Sequence, residues 1–408
     1  MIMMKRFLNS IILLIIIASS CKMTNSTKDI SNKITKDIDS LQKIYAPDKR
    51  VTLWNVSVTD KNDTVKVDAE FENPEAVKSL KDSISKKYPD VLLSVKLLPE
   101  KEPERTVHAL VSNSVASIRS KAKHSSELVN QAFLGTPVRV FKKENNWYLI
   151  QTPNKYIGWI NEDDIAFFSK KELKNYKQLK KIIYNKQYGN SFSKPDKNSL
   201  TVSDLVIGCI LPVSDTVKNF CKVKYPDGRI AYVPKDETID MMTVFNRMPE
   251  GKRIVNIAEK FNGIPYMWGG FSSKAIDCSG FTSTVYFLNG IILQRDASQQ
   301  IKYGTEISDK FEYKNLQPGD LLFFTDEKSL KKKLNPKKVT HVAIYIGEGE
   351  FIHASGKVKI TSMDSTKTSY EDEYKRTFIK TMRIIGNEGT QSIEKIIDNK
   401  FYKTIIPD

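Results

Sequence analysis

Cys278 stands in the run Asp277-Cys278-Ser279-Gly280-Phe281, just ahead of Phe281, Val285 and Leu288, which mark one face of a helix. Asp277 is a capping type, so Cys278 falls in the first turn, where unpaired N–H groups and the helix dipole favour the nucleophilic thiolate. A lone cysteine in a helix is more often inert core, so the chemistry requires a base. The chain has four histidines, at 108, 124, 341 and 353. Thr340-His341-Val342-Ala343-Ile344-Tyr345-Ile346 alternates as a strand, Gly347-Glu348-Gly349 turns, and Phe351-Ile352-His353-Ala354-Ser355 returns. With a three-residue loop at 347–349, Ala343 faces His353, and His341 and His353 become diagonal neighbours on one face, about 7 to 8 Å apart at Cα. A four-residue loop would put them on opposite faces. A thiol with two imidazoles in that relation can perform nucleophilic acyl transfer.

The elements that must hold these groups are legible nearby. Residues 253–261 carry apolar positions at 254, 257, 258 and 261, the spacing of a helix. A turn-rich aromatic stretch follows, Gly263-Ile264-Pro265-Tyr266-Met267-Trp268-Gly269-Gly270, and leads to Asp277. The cysteine helix has poor intrinsic propensity, with Gly280, several Ser and Thr residues and β-branched Val285, so tertiary packing must hold it. Leu316-Gln317-Pro318-Gly319-Asp320 is a turn before the strand at 321–324. No His, Cys and carboxylate cluster has metal-ligand spacing, so neither metal nor cofactor is expected.

At 408 residues the chain suggests several domains. Hydrophobic content of 40% and charged content of 27% are those of globular proteins. The net charge of +16 favours polyanionic partners, such as acidic envelope polymers or anionic lipid. Lysine is spread along the chain without an arm or nucleic-acid-binding signature, so nucleic acid is not an expected partner. Lys5 and Arg6, the apolar residues 11–17 and Ala18-Ser19-Ser20-Cys21 read as an export signal too short to span a bilayer. The triplet ending on Cys21 resembles a bacterial lipoprotein signal, which implies lipid attachment at Cys21 and a membrane-anchored envelope location, periplasmic or surface-facing. Ordinary cleavage after Ser20 also leads out of the cytoplasm. Cys209 and Cys221 could pair as a disulfide there, or be small buried hydrophobes.

Residues 22–103 read as a tether with a weak helix at 22–45 and a ββαβ module: strands around a Lys61-Asn62-Asp63 turn, a helix opened by Pro74, and a third strand before Pro99. This pattern resembles small BON-like envelope modules. Residues 104–168 are closely spaced short strands, which suggest a small barrel. They resemble bacterial SH3-type (SH3b) domains through Leu134-Gly135-Thr136-Pro137-Val138, Asn146-Trp147-Tyr148 and Gly158-Trp159-Ile160. Residues 169–245 read as a basic helical connector at 170–187 and a degenerate second SH3b copy over 200–235. Residues 246–390 form the last domain, and 391–408 read as a tail.

Residues 250–356 resemble the NlpC/P60 family of papain-like cysteine peptidases, through the G-x-P-Y-x-W-G-G and D-C-S-G-F motifs, Arg295-Asp296-Ala297-Ser298-Gln299-Gln300, Gln317-Pro318-Gly319-Asp320-Leu321, T-H-V-A-I-Y-I-G and F-I-H-A-S. The fold expected is α+β: a papain-like domain preceded by SH3b barrels and the ββαβ module. The resemblance implies Cys278 as nucleophile, His341 as general base and acid, His353 as the residue orienting His341, and Tyr266 beside the oxyanion site. It also implies Asp277, Ser279 and Asp296 in substrate binding.

The domain order is similar to γ-D-glutamyl-L-diamino acid endopeptidases, in which the first SH3b module reads a free N-terminal L-Ala of a murein peptide. By motif position Glu127 and Tyr156 are the candidates, and a carboxylate suits an ammonium group. Lys328, Lys331, Lys332, Lys333, Lys337 and Lys338 crowd the loop before His341, as a solvated loop or as a steering patch for carboxylate-bearing peptides. A monomer is expected. The competing readings are a non-catalytic peptidoglycan-binding lipoprotein, and an amidase or transpeptidase on the same fold.

Overall fold

The computed structural model describes residues 27–61, 64–99, 108–332, 338–390 and 392–407; Cys21, the Asn62-Asp63 turn, Lys333 and Lys337 lie outside them. The chain divides into two units, one ending at Leu98 and one beginning at Pro99. Among the described residues no helix is long and apolar enough to cross a membrane.

In the first unit the expected weak helix is α1, Thr27–Tyr45, which buries Ile34 and Ile38 one turn apart. Strands β1 (Trp54–Lys61) and β2 (Thr64–Phe71) pair antiparallel. Helix α2 (Pro74–Lys87) then crosses to β3 (Leu92–Leu97), parallel to β2. Asn73 caps α2 by accepting from Glu75 N at 2.8 Å, and Pro74 occupies the position where a missing N–H is harmless. Leu80 and Ile84 of α2 join Ile34, Val67 and Phe71 in one apolar core.

The second unit begins with β4 (His108–Val111), β5 (Val115–Arg119), β6 (Leu128–Phe133), β7 (Pro137–Glu144), β8 (Trp147–Gln151), β9 (Ile157–Asn161) and β10 (Ile165–Phe167). They form a sheet in the order β10-β4-β7-β8-β9-β5-β6. Helix α3 (Lys170–Gln178) follows, opened by a Ser169/Glu172 capping box. Next come β11 (Lys181–Tyr184), β12 (Tyr188–Phe192), β13 (Thr201–Val206), β14 (Ile210–Val217), β15 (Phe220–Lys224), β16 (Ile230–Pro234) and β17 (Thr238–Asp240). Their order, β13-β12-β16-β15-β14-β11-β17, is that of the first sheet with every strand advanced by seven.

The second barrel therefore begins at Lys181, nineteen residues before the 200 of its sequence pattern, and the helical connector stops at Gln178. The sequence misleads because Lys181, normally a surface type, is buried there. Its ammonium caps α3 by donating to the carbonyls of Tyr176, Lys177 and Leu179. Cys209 and Cys221 are separate, free and buried. The Cys209 thiol donates to Ser114 O at 3.3 Å and so stitches the two barrels, which decides against the disulfide.

Helices α4 (Met241–Phe245) and α5 (Gly251–Glu259) lead into the C-terminal domain. There the short hairpin β18 (Phe271–Ser272) and β19 (Ala275–Ile276) precedes α6 (Cys278–Phe287), β20 (Ile291–Ile292), α7 (Ala297–Gln300) and β21 (Thr305–Ser308). Then follow β22 (Leu321–Phe324), α8 (Glu327–Lys331), β23 (His341–Gly347), β24 (Glu350–Ser355), β25 (Lys357–Ser362), α9 (Asp372–Thr377), β26 (Phe378–Arg383) and β27 (Glu394–Lys395). The main sheet runs β21-β26-β22-β23-β24-β25, and α6 packs against β23 and β24.

Residues 392–407 are no loose tail. β27 pairs with β20, Ile393, Ile396 and Ile405 are fully buried, and the Tyr402 ring packs against Phe245 and Phe287. Asn399 Nδ2 donates to Pro153 O of the first barrel at 3.1 Å. The segment has no strand or helix period because it fills a seam between elements, and apolar burial rather than local propensity fixes it.

Candidate active site

Every residue of α6 is buried, and side-chain hydrogen bonds compensate for its poor propensity. Thr284 Oγ1 donates to Phe271 O at 2.8 Å, and Gln300 Nε2 donates to Ser279 O, Ser283 Oγ and Gln294 O. Gly280 is required because a Cβ there would lie 2.1 Å from Gly270 O. Asp277 caps the helix by accepting from Gly280 N at 2.7 Å, which leaves Cys278 at the first helical position.

Asp277 does more than cap. Its Oδ1 also accepts from Arg295 Nη1 at 3.0 Å, and its Oδ2 from Arg295 Nη2 at 2.6 Å and Gly269 N at 2.9 Å. With both carboxylate oxygens engaged, Asp277 holds the site together. Ser279 Oγ likewise accepts from Arg295 Nη1 at 3.0 Å. Asp296 and Gln299 form a capping box at the start of α7.

The two histidines share one face of the sheet, by a route that differs in detail from the expected loop. The turn itself is only two residues, Glu348 and Gly349, both with positive φ, closed by the pair Gly347↔Glu350. An even loop alone would separate the rings, but a bulge at Ile346 restores the register Tyr345↔Phe351 and Ile344↔Ile352. His341 Nε2 thus lies 2.8 Å from His353 Nδ1, and His353 Nε2 lies 3.0 Å from Thr361 Oγ1. The Tyr374 ring closes over both, its centroid 5.9 Å from that of His341 and 4.8 Å from that of His353.

Helix α6 packs Cys278 against β23, the strand that carries His341. The helix start was expected to lower the thiol pKa. Burial instead pushes Cys278 up to about 12, and the Asp277 carboxylate adds to the rise; the Val342 and Ser279 N–H groups and Arg295 oppose it without prevailing. Burial, followed by the Lys359 ammonium, lowers His341 to about 4, with Asp277 opposing. His353, fully buried, is held well below the ordinary imidazole range by burial, His341 and Lys359. At neutral pH these directions correspond to a neutral thiol and neutral imidazoles in the resting site. Tyr266 stands beside them: burial raises its phenol pKa, and proximity to Cys278 and Asp277 raises it further.

The first barrel reaches the site. Trp268 Nε1 donates to Glu127 Oε1 at 2.7 Å. Tyr156 is buried and lies close enough to Arg295 to influence its charge. Arg295 Nε donates to Asn130 Oδ1 at 2.9 Å, so a buried arginine links the barrel to the cap of the cysteine helix. Gln131 Oε1 accepts from Phe271 N at 2.9 Å, while Ser273 Oγ donates to Gln187 O and Lys274 pairs with Asp204 at 2.6 Å. Both barrels thus grip the hairpin that leads into Cys278. Sequence reasoning missed these roles of Arg295, Thr361 and Tyr374, since a buried charge or hydroxyl carries no periodic signal; only the Arg295-Asp296 motif pointed at one of them. Among the described residues no group of three His, Cys, Asp or Glu side chains could hold a metal ion.

The sequence profile of the NlpC/P60 family matches residues 263–379, and that of the bacterial SH3 domain matches residues 114–166. A gamma-D-glutamyl-L-lysine dipeptidyl-peptidase of Bacillus cereus is 30% identical over 267 residues, 62% of this chain and 74% of the relative. The chain belongs to the NlpC/P60 family. It is a cysteine peptidase of that family with an N-terminal bacterial SH3 domain. A dipeptidyl-peptidase 6 of Lysinibacillus sphaericus is 28% identical over 66% of this chain and 97% of its own length. A crystal structure of an NlpC/P60 protein from Bacillus cereus superposes with a TM-score of 0.57 at 22% identity, covering 68% of this chain and 99% of that one, and so shares the fold.

Proposed function

We propose that this NlpC/P60 peptidase cleaves the γ-D-glutamyl-L-diamino acid bond of short peptidoglycan stem peptides that carry a free N-terminal L-Ala. The observation that carries this reading is Glu127 of the first barrel, which accepts from Trp268 of the aromatic stretch that leads to Cys278. A barrel carboxylate at that place can pair with a terminal ammonium group. Two relatives are named for the γ-D-glutamyl-L-lysine dipeptidyl-peptidase activity, which agrees in bond type.

In the mechanism His341 takes the thiol proton as Cys278 sulfur attacks the γ-glutamyl carbonyl. The backbone N–H of Cys278 and the Tyr266 hydroxyl are the oxyanion donors we assign. His341 then returns the proton to the leaving amine of the diamino acid. Water deprotonated by His341 attacks the thioester, and Cys278 leaves as a thiol once the proton returns to it. His353 keeps the His341 ring oriented throughout. Because the resting pair is neutral, proton transfer accompanies the attack.

We further propose that Cys21 carries lipid, which would hold the enzyme on an envelope membrane, and that the N-terminal module is BON-like. Loss of fatty-acid labelling in Cys21→Ser tests the first point. The activity is tested with L-Ala-γ-D-Glu-L-Lys and its diaminopimelate analogue. Release of L-Ala-γ-D-Glu and free diamino acid supports the proposal, and cleavage elsewhere, or none, overturns it.

A further inference from the structure

His341, His353 and Thr361 form a diagonal row across β23, β24 and β25. The register that pairs Ile344 with Ile352 puts Ala343 opposite His353, so His341 is displaced by two along its strand. His353 pairs with Lys359, so Thr361 is displaced by two on the other side. The period of two puts all three side chains on one face of the sheet. Thr361 is fully buried, and its hydroxyl has two neighbours, His353 Nε2 at 3.0 Å and Glu371 Oε1 at a longer 3.5 Å. Lys359 Nζ sits 2.6 Å from that same carboxylate oxygen, which holds Glu371 in place.

Donor and acceptor chemistry orders this row. A carboxylate can only accept, so the Thr361 hydroxyl donates to Glu371, and its oxygen accepts from His353 Nε2–H. A neutral imidazole has a single N–H, so His353 Nδ1 must accept, and the donor to it is His341 Nε2–H. That leaves the lone pair of His341 on Nδ1. We propose that Thr361, anchored by Glu371, is a positioning residue that selects the tautomers of both histidines and so makes His341 a base toward Cys278. Without the carboxylate, Thr361 could donate to His353, and the row would run backward with a proton on His341 Nδ1, which cannot accept the thiol proton.

The inference rests on His341 as the base and adds what sets its protonation. It is tested on the full chain by histidine-selective 15N NMR, which reads the tautomers without turnover, and by kinetics on the tripeptide. In the wild type, His341 and His353 should both show a protonated Nε2 and a bare Nδ1. Thr361→Val, of nearly equal volume, should mix or invert the tautomers and lower kcat about 10- to 100-fold with KM unchanged, the scale of leaving a buried donor unpaired. Thr361→Ser should restore both, and Glu371→Gln should shift the tautomers in the same direction as Thr361→Val. A wild-type His341 protonated on Nδ1 would overturn the proposal, as would a Thr361→Val enzyme with wild-type kcat, or one whose loss Thr361→Ser fails to rescue. An active Cys278→Ala enzyme would instead overturn the mechanism on which it rests.

Discussion

Trp268 donates its indole N–H to Glu127 across the boundary between the C-terminal domain and the first barrel, at 2.7 Å. The acidic side chain is thereby aimed before any substrate arrives, which reduces the cost of ordering it on binding.

Glu127→Gln keeps an acceptor for Trp268 and removes only the charge. For tripeptides with a free amino terminus KM should rise about 10-fold or more, the scale of a charge-assisted hydrogen bond. N-acetylated tripeptides should be affected much less. Steady-state kinetics on the two substrates decides, and an equal effect on both removes the amino-terminal reading.

Cys278→Ala should abolish hydrolysis while circular dichroism and melting temperature stay close to wild type. The resting thiol should react sluggishly as well. With its pKa pushed up to about 12, little thiolate exists at pH 7, so alkylation by iodoacetamide should run more than 10-fold slower than for free cysteine. Fast alkylation without substrate would show that the site rests as an ion pair.

The pH profile follows from His341. Only the neutral imidazole can accept the thiol proton, and burial lowers its pKa to about 4, so acid disables it later than an ordinary histidine. On an N-blocked peptide, where the Glu127 contact plays no part, kcat/KM should hold through pH 5 to 6 and fall as pH approaches about 4. An acid limb near 6.5 would contradict this geometry.

Arg295→Met should destabilise the protein by about 3 to 5 kcal/mol, because it strands the buried Asp277 carboxylate. The double variant Arg295→Met/Asp277→Asn should recover part of that stability. Urea denaturation of the three proteins measures the coupling, and additive losses would mean the two side chains act independently.

Gly269 has φ +78, and a Cβ there would lie 2.3 Å from Leu128 O of the first barrel. Gly269→Ala should cost at least about 1 to 2 kcal/mol from the left-handed backbone alone. It should also part the barrel from the segment that leads into Cys278. Limited proteolysis between the barrels and the C-terminal domain should quicken, and unchanged resistance would refute the close fit.

Much of the chemistry was legible before folding. Strand alternation brought His341 and His353 to one face, and the Asp277 cap put Cys278 at a helix start, because both depend on local periods of two and 3.6. The parity argument reached the right face through a different turn, since a bulge at Ile346 leaves no sequence mark. The start of the second barrel was hidden by Lys181, whose charge reads as surface until three carbonyls are seen to receive it. Residues 391–408 read as a tail because their apolar positions follow no helix or strand period, and 392–407 fill a seam between elements.

The family was readable from the sequence, as was the shared face of His341 and His353, because motifs and short-range periodicity are written in neighbouring residues. Tertiary structure alone decided that the thiol pKa rises, since burial of a charge outweighs the field of a helix end. It alone decided that Asp277 is occupied by Arg295, that Glu127 meets Trp268 and that Thr361 meets His353. These are contacts between residues distant in the chain or on separate strands, and their energies depend on solvent exclusion that no local pattern encodes.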